Sequence, residues 1–275
     1  MGRLRYILYS LFAWAVILAV AFPLIWMIVT SLKPQFELFR IPPTFWPNQV
    51  TFEHYIRLLT ETPFLTYMRN SIIIAVGTTV LVIVVATLGA HSLVRFRYRG
   101  REWLAQMVLF TYLLPSVVLI IPLYLLMVSL GVANTLFSLV LAYTTFALPY
   151  ALWLLRSFMA GIPDDLEAAA MVDGASRMEA FIDVILPQAL PGIISTSLFT
   201  MILAWNEYLF ALVLVNTDAA RPLTTGVMSM LVSAFNIEWS LLMAASVMMS
   251  VPLVIAFTFL SGHLTRGFGA GAVKG

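Results

Sequence analysis

The chain has 275 residues, of which 61% are hydrophobic and only 10% charged, with a net charge of +2. A soluble globular chain is about 45–50% apolar and about 25% charged, so this composition indicates an integral membrane protein and excludes an ordinary soluble domain. Cysteine is absent, which excludes disulfides and cysteine-based metal sites.

Six stretches are apolar enough to cross a membrane. A helix needs about 20 apolar residues to cross about 30 Å of hydrocarbon. The first stretch, 6–32, is longer than the apolar region of a signal peptide, which predicts a retained span. The uncharged run 103–155 is too long for one crossing, and "LGVAN" at 130–134 divides it into two. We therefore predict spans at 6–32, 70–94, 103–130, 134–155, about 190–215 and about 239–262.

The Lys and Arg residues favour one orientation. Cytoplasmic loops carry an excess of these residues, and six spans put both termini on the same side. With the N-terminus inside, ten Lys and Arg residues lie inside and five outside, and "RFRYRGR" at 95–101 contributes most. The sequence thus predicts an all-α integral membrane protein with six transmembrane helices and both termini cytoplasmic. Its outer loops are 33–68, where "FEHYIRLL" predicts a short helix, and 216–238.

One cytoplasmic segment is unlike the rest of the chain, and we call residues 162–188 the acidic island. Six of the thirteen acids lie between Asp164 and Asp183. Pro163 and the acids after it are typical of a first helical turn, and Gly174 suits a helix end. "SRME" at 176–179 matches a capping box for a second helix, which Pro187 is expected to end. The pattern predicts a helix, a glycine corner and a second helix.

The partner of the acidic island is either the membrane surface or another protein. Helices that lie on the anionic inner leaflet usually carry Lys and Arg on their polar face. This segment carries acids and one Arg177, and consecutive alanines make its first helix thin enough for close approach. The composition therefore favours docking of a protein over a simple connector on the lipid surface.

The segment "LEAAAMVDGASRMEAFIDVILPQALPG" resembles the cytoplasmic EAA signature of ABC-importer permeases. "LLPSVVLIIPLYLLM", "AWNEYLFALVL" and the terminal "GAVKG" are similar to the maltose-permease-like (MalG-like) branch, which imports carbohydrates. One position departs from the signature, because Ala168 stands where the family usually has glutamate and Glu167 lies one residue earlier.

The resemblance implies a single type I ABC importer permease domain over 1–275 in the cytoplasmic (inner) membrane of a prokaryote. It implies a second, MalF-like permease subunit, a MalK-like ATPase dimer that binds ATP and Mg, and an extracellular or periplasmic solute-binding protein that delivers a sugar such as maltose or trehalose. The chain itself would bind no cofactor or nucleic acid and would not be an enzyme. The ATPase-docking residues implied in the island are Asp165, Glu167, Ala168, Ala169, Met171, Asp173, Gly174, Ala175 and Arg177.

Two further segments are candidate sites. Glu207 is the only acid predicted inside a span, where charges are costly and often functional. With Trp205, Asn206 and Tyr208 it would line the sugar pathway, although an inter-helix hydrogen bond or a side chain reaching the outer interface explains it equally well. The resemblance also implies that the loop 216–238 contacts the binding protein, with a simple connector as the alternative. The candidate contacts are Arg221, Pro222, Leu223, Thr224, Thr225 and Gly226.

Other function classes fit the sequence less well. The three histidines are dispersed without metal-ligand spacing, and no phosphate-loop or nucleophile motif is present. A self-contained secondary transporter would carry several intramembrane ionisable groups or clear internal repeats. Within the resembled family, glycerol-phosphate-type solutes are the alternative to a sugar.

Overall fold

The computed structural model describes residues 2–231 and 237–271, which fold as helices joined by turns and loops. In chain order the helices are α1 Gly2–Ser31, α2 Gln35–Leu38, α3 Glu53–Thr60, α4 Phe64–Arg95, α5 Arg101–Tyr112, a 3₁₀ turn Ser116–Leu119, α6 Ile120–Ser129, α7 Leu136–Ala160, α8 Asp164–Val172, α9 Arg177–Ala180, a π-helical turn Phe181–Ile185, α10 Leu186–Asn206, α11 Leu209–Leu214, α12 Leu223–Leu231 and α13 Trp239–Gly271. The all-helical prediction and the short helix within "FEHYIRLL" are confirmed. The predicted tail "GAVKG" extends beyond the described residues.

The chain divides into two compact units, residues 1–65 with 226–252, and residues 66–225 with 253–275. Among the described residues, five continuous helical stretches are long and apolar enough to span a membrane, and a bent pair supplies a sixth if it counts as one span. The number of predicted spans therefore agrees with the structure when the bent pair is counted once.

The third span is not the single helix that the sequence predicted. The pair Arg101–Tyr112 and Ser116–Ser129 bends by 95°, and Pro115 lies immediately before the 3₁₀ turn. Proline has no N–H to donate, and it disfavours helical geometry at the residue before it. The divide predicted at "LGVAN" is confirmed, because Gly131 and Asn134 both adopt positive φ, 70° and 60°.

The core of the second unit is a three-helix contact through small residues. Val82, Ala86 and Ala90 of α4 pack against α7 and α10. A Cβ atom added at Gly192 of α10 would lie 2.5 Å from the Phe158 ring of α7. Small side chains let transmembrane helices approach closely, because van der Waals contact replaces the hydrophobic drive that lipid cannot supply. This contact lies directly beneath the acidic island, which joins α7 to α10.

The island forms the predicted helix, glycine corner and helix. α8 begins after Pro163, Gly174 has a φ of +102°, and Ser176 with Glu179 makes both hydrogen bonds of the capping box. The expectation that Pro187 ends the second helix is wrong, since the helix continues as one span from Arg177 to Asn206. The Leu186 N–H bonds to the Phe181 carbonyl across the π turn, and this wider turn accommodates the following proline, which has no N–H to donate.

The fifth span is interrupted where the sequence predicted continuous helix. α10 ends at Asn206, Glu207 has extended backbone angles, and α11 is a separate short helix. Within the predicted outer loop 216–238, residues Leu223–Leu231 form α12.

In the first unit, a buried acid holds the outer loop that follows α1. Glu37 is 3% exposed and accepts hydrogen bonds from the Thr44 hydroxyl at 2.7 Å and from the Asn48 backbone N–H at 3.0 Å. These bonds hold the pKa of Glu37 below its ordinary value. Lys33 donates to the Thr44 carbonyl and lies 4.9 Å from the Trp26 ring centroid. The loop is therefore fixed to the end of α1 through its own polar groups.

Candidate coupling site

The acidic island presents one exposed face. Seven of the nine predicted docking residues are exposed, and Ala175 is half-buried. The exposed ones are Asp165, Ala168, Ala169, Met171, Asp173, Gly174 and Arg177. Val172 beside them is 86% exposed, an unusual exposure for a valine. This face combines acids with small and apolar side chains, which suits contact with a protein better than contact with water alone.

Glu167 differs from the other candidates, because its side chain points inward. It is 7% exposed, and its Oε2 lies 3.1 Å from Nε of Arg95 and 3.6 Å from Nε2 of His91. Both partners belong to the last two turns of α4, and their side chains are 6% and 9% exposed. Glu167 thus joins α8 to α4 rather than standing on the exposed face.

Arg95 is the centre of this arrangement. Its guanidinium contacts Asp164, whose side chain is 81% exposed, and donates to the Ile162 carbonyl at 2.9 Å. A cation at the C-terminal end of a helix is also stabilised by the helix dipole. One arginine therefore hydrogen-bonds a carbonyl before α8 and Asp164, and it lies within ion-pair distance of Glu167.

Aromatic contacts complete the attachment. The ring of His91 packs 4.5 Å, centroid to centroid, from Phe181 in the π turn. The guanidinium of Arg177 lies 5.8 Å from the ring of Phe96, just after α4, within the range of a cation–π interaction. The island is consequently held to the end of α4 on both sides of its glycine corner.

Sequence reasoning missed the role of His91 and Arg95. It counted Arg95 only as a positive charge in a cytoplasmic loop and His91 only as a histidine at a helix end. No local spacing rule links these residues to Glu167, because they lie on different helices. The one available signal was the acid Glu167 in an alanine-rich helix, since the basic cluster 95–101 at the end of α4 must lie near that helix.

Glu207 at the other end of α10 caps a helix. Its carboxylate accepts from the backbone N–H of Phe210 at 3.0 Å and of Ala211 at 3.2 Å. Trp205 is buried, at 6% exposure, whereas Asn206 is exposed and donates to the Ile202 carbonyl at 2.8 Å. Of the predicted pathway residues, only Asn206, Glu207 and Tyr208 have surface open to a passing solute.

The candidate contacts for a binding protein are mostly buried. Pro222, Leu223, Thr225 and Gly226 are buried, and Arg221 and Thr224 are half-buried. Asn70 of α4 donates to the carbonyls of Ala219 and Arg221 at 3.0 and 2.8 Å. Among the described residues of the loop, 216–219 and 228–229 are exposed.

Within the described residues, no group of three or more His, Asp or Glu side chains could hold a metal ion. The described part of the chain thus combines long apolar helices with an exposed acidic face whose helix is attached to the end of α4.

Residues 83–269 match the family described as "Binding-protein-dependent transport system inner membrane component". The chain is 36% identical over 258 residues to the diacetylchitobiose uptake system permease protein DasC of Streptomyces coelicolor, covering 94% of this chain and 93% of that protein. It is also 36% identical over 261 residues to the trehalose/maltose transport system permease protein MalG of Thermococcus litoralis, covering 92% and 91%. A solved bacterial ABC transporter that imports alginate matches with a TM-score of 0.81 at 23% identity, covering 94% of this chain and 96% of that chain.

The chain belongs to the family of binding-protein-dependent transport system inner membrane components. The resemblance read from the EAA signature is confirmed, and so is the all-helical fold of a type I importer permease, whereas the cytoplasmic location of both termini stays a prediction. The protein is a multi-pass permease subunit of an ABC importer, and in this family separate ATPase subunits hydrolyse ATP.

Proposed function

We propose that the chain forms, with a second homologous permease, an alternating-access pathway for a di- or oligosaccharide in the cytoplasmic membrane of a prokaryote. An ATPase dimer drives the pathway through the acidic island, and a solute-binding protein delivers the sugar on the outer side. The identity to permeases named for diacetylchitobiose and for trehalose and maltose supports a sugar as the solute.

The observation that carries the coupling role is the exposed face of α8 and the corner after it. The acids Asp165 and Asp173 flank the exposed Ala168 and Ala169, so a partner groove can approach the helix backbone closely. α8 is joined along the chain to α7 before it and, through α9, to α10 after it, and its Asp164 and Glu167 contact α4. A displacement of α8 therefore moves spanning helices, and alternating access needs such a link between ATPase closure and the pathway.

The position of the island also supports the cytoplasmic orientation. The Arg-rich segment 95–101 begins at Arg95, which contacts Asp164 and Glu167. The island and the Arg-rich segment therefore lie on the same side of the membrane. Because Arg-rich short loops stay in the cytoplasm, this side is the one on which ATPase subunits reside.

Reconstitution tests the proposal. The chain, its partner permease, the ATPase and the binding protein are placed in liposomes, and uptake and ATP hydrolysis are measured with diacetylchitobiose, trehalose, maltose and glycerol phosphate. We expect one of the sugars, on its binding protein, to stimulate both activities. Stimulation by glycerol phosphate alone would change the substrate class, and uptake by the chain without the ATPase would establish a secondary transporter instead.

The absence of cysteine makes the orientation directly measurable. A cysteine at Ala168, which is exposed, should react with an impermeant thiol reagent only from the cytoplasmic side. A cysteine at Asn216 should react only from the outer side. The opposite pattern would contradict the orientation while leaving the family membership intact.

A further inference from the structure

Glu167 lies on the wrong side of α8 to meet a partner that approaches the exposed face. Its neighbours Asp165 and Ala168 are exposed, whereas its own side chain is 9% exposed and faces Arg95 and His91. Because a helix turns about 100° per residue, Glu167 and the exposed residues beside it cannot serve the same surface. The acid that stands nearest to the family's usual glutamate position therefore has an internal partner.

The two ends of α8 are both places where the chain can bend. Gly161 and Pro163 precede the helix, and Gly174 follows it with a φ of +102°. A force applied to the exposed face would rotate such a helix about its ends unless a contact on the opposite face opposed the rotation. α8 packs against α9 and the π turn, and its ion pairs on this side are made by Glu167 and Asp164, which both lead to Arg95 on α4.

These contacts converge on a single point of the membrane domain. His91 and Arg95 end α4, and His91 also packs against Phe181, where α10 begins through its π turn. Within the described part of the chain, Glu167 is thus the acid of α8 whose buried position joins three elements: α8, α4 and the start of α10.

We propose that Glu167, Arg95 and His91 form an internal tie, and that Glu167 is a positioning residue that passes displacement of α8 to α4 rather than a contact for the ATPase. The inference rests on the proposed coupling function of the acidic island, and it names the contacts through which displacement of α8 reaches the spanning helices. α10 moves with the island because its helix is continuous with α9. α4 has no such covalent continuity with the island, and the tie supplies the link.

A matched pair of substitutions separates this role from a general effect of charge. Glu167→Gln removes the buried charge, and Asp183→Asn makes the same change at an exposed acid of the same island. In the reconstituted complex, we expect Glu167→Gln to keep the ATPase bound and hydrolysing while sugar uptake per ATP falls by about tenfold or more, within the usual range of coupling between sites. Asp183→Asn should retain the wild-type ratio.

A cross-link tests the same tie within one protein sample, so that misfolding cannot imitate the result. Because the chain has no cysteine, Arg95→Cys with Glu167→Cys can be joined by a short, cleavable thiol cross-linker, in a complex whose partner subunits lack cysteine. Coupling should be low before cross-linking, rise when the two helices are joined and fall again after cleavage.

Three results would overturn the inference. The first is a wild-type ratio of uptake to ATP hydrolysis in Glu167→Gln. The second is loss of ATPase binding in that variant, which would make Glu167 a docking residue. The third is a cross-linked double-cysteine protein that stays uncoupled. Failure of the proposed function itself is distinguishable, since the wild-type complex would then neither import sugar nor hydrolyse ATP in response to it.

Discussion

Replacing Gly192 by alanine tests the close packing of α7 and α10 beneath the island. The new Cβ would lie 2.5 Å from Cγ of Phe158 and 2.8 Å from its Cβ and Cδ2. Non-bonded carbon atoms prefer a separation of about 3.5–4.0 Å, so the new Cβ would be about 1 Å too close to Cβ of Phe158 and to the first atoms of its ring. These atoms cannot yield by a simple rotation of a flexible end, so α7 and α10 must separate.

The expected cost follows from two opposing terms. Overpacking of a well-packed contact costs about 1–3 kcal/mol and occasionally more, whereas exchanging glycine for alanine in a helix gains up to about 1 kcal/mol. At this overlap the packing cost should exceed the gain, leaving about 2 kcal/mol of destabilisation. For a chain of this size that corresponds to a fall in Tm of about 4–8 °C.

The assay is thermal unfolding of the purified protein in detergent, followed by tryptophan fluorescence. Gly77→Ala is the matched control, because its Cβ would meet the ends of one side chain, Cγ2 and Cγ1 of Val140 at 3.3 and 3.8 Å. It should leave the Tm unchanged or raise it slightly. In a double-mutant cycle, Gly192→Ala should cost less stability in a Phe158→Ala background than beside Phe158. A Gly192→Ala protein as stable as the Gly77→Ala control would refute the argument from close approach.

Three further perturbations have defined outcomes. Gly174→Val meets open space but must adopt a φ of +102°, which costs a non-glycine residue about 1–2 kcal/mol. We expect this variant to insert in the membrane but to show a reduced ratio of uptake to ATP hydrolysis. A normal ratio would count against the role of the corner. Glu207→Ala removes the acceptor of two backbone N–H groups at α11 and should cost about 1 kcal/mol, measured as a lower Tm than that of Glu207→Gln, which keeps one oxygen acceptor. The pKa of Glu37 is lowered in the folded loop, so its stabilising effect is complete above the unfolded value of 4.5 and is lost as the pH falls through the folded value. The protection of the loop against hydrogen exchange, taken relative to the intrinsic exchange rate at each pH, should fall over that lower pH range in the wild type. A Glu37→Gln protein should be less protected at neutral pH, and its protection should change little on acidification.

The parts of the island that follow local rules were predictable from the sequence. The start of α8 at Pro163, the corner at Gly174 and the Ser176 capping box each depend on residues within one helical turn. Rules of this kind need no knowledge of the rest of the fold. They were therefore enough to give both helices of the island and the reversal between them.

The interruptions of the long helices were not predictable in the same way. Pro115 lies at the bend that divides the third span, whereas Pro149 and Pro252 lie inside continuous helices, where neighbouring groups can satisfy the freed backbone carbonyls. Pro187 is tolerated for a different reason, a π turn just before it. The sequence shows where proline stands, but the packing around it decides whether the helix continues.

The assignment of Glu167 shows the same limit at the level of the site. Composition identifies an acidic helix, but which acid is buried depends on how α8 is rotated against α4. That rotation is fixed by Arg95 and His91, which lie on another helix and contact Glu167 only in the folded protein. The sequence could therefore name Asp165, Glu167 and Asp173 as docking candidates, but it could not show that Glu167 is buried against α4.

The buried ion pair between Arg95 and Glu167 is also better explained by a role in passing displacement of α8 to α4 than by a role in stability alone. Replacing a buried pair with apolar residues is often neutral or stabilising, whereas removing one partner costs about 3–5 kcal/mol. Such a contact adds little net stability, but it strongly resists separation of the two helices that it joins. A coupling helix needs that property, because a contact that separates when α8 is displaced would let the ATPase close without moving the spanning helices. If the tie served stability only, apolar substitution of both Arg95 and Glu167 would preserve sugar uptake per ATP, and we expect it to reduce that ratio while the protein remains folded.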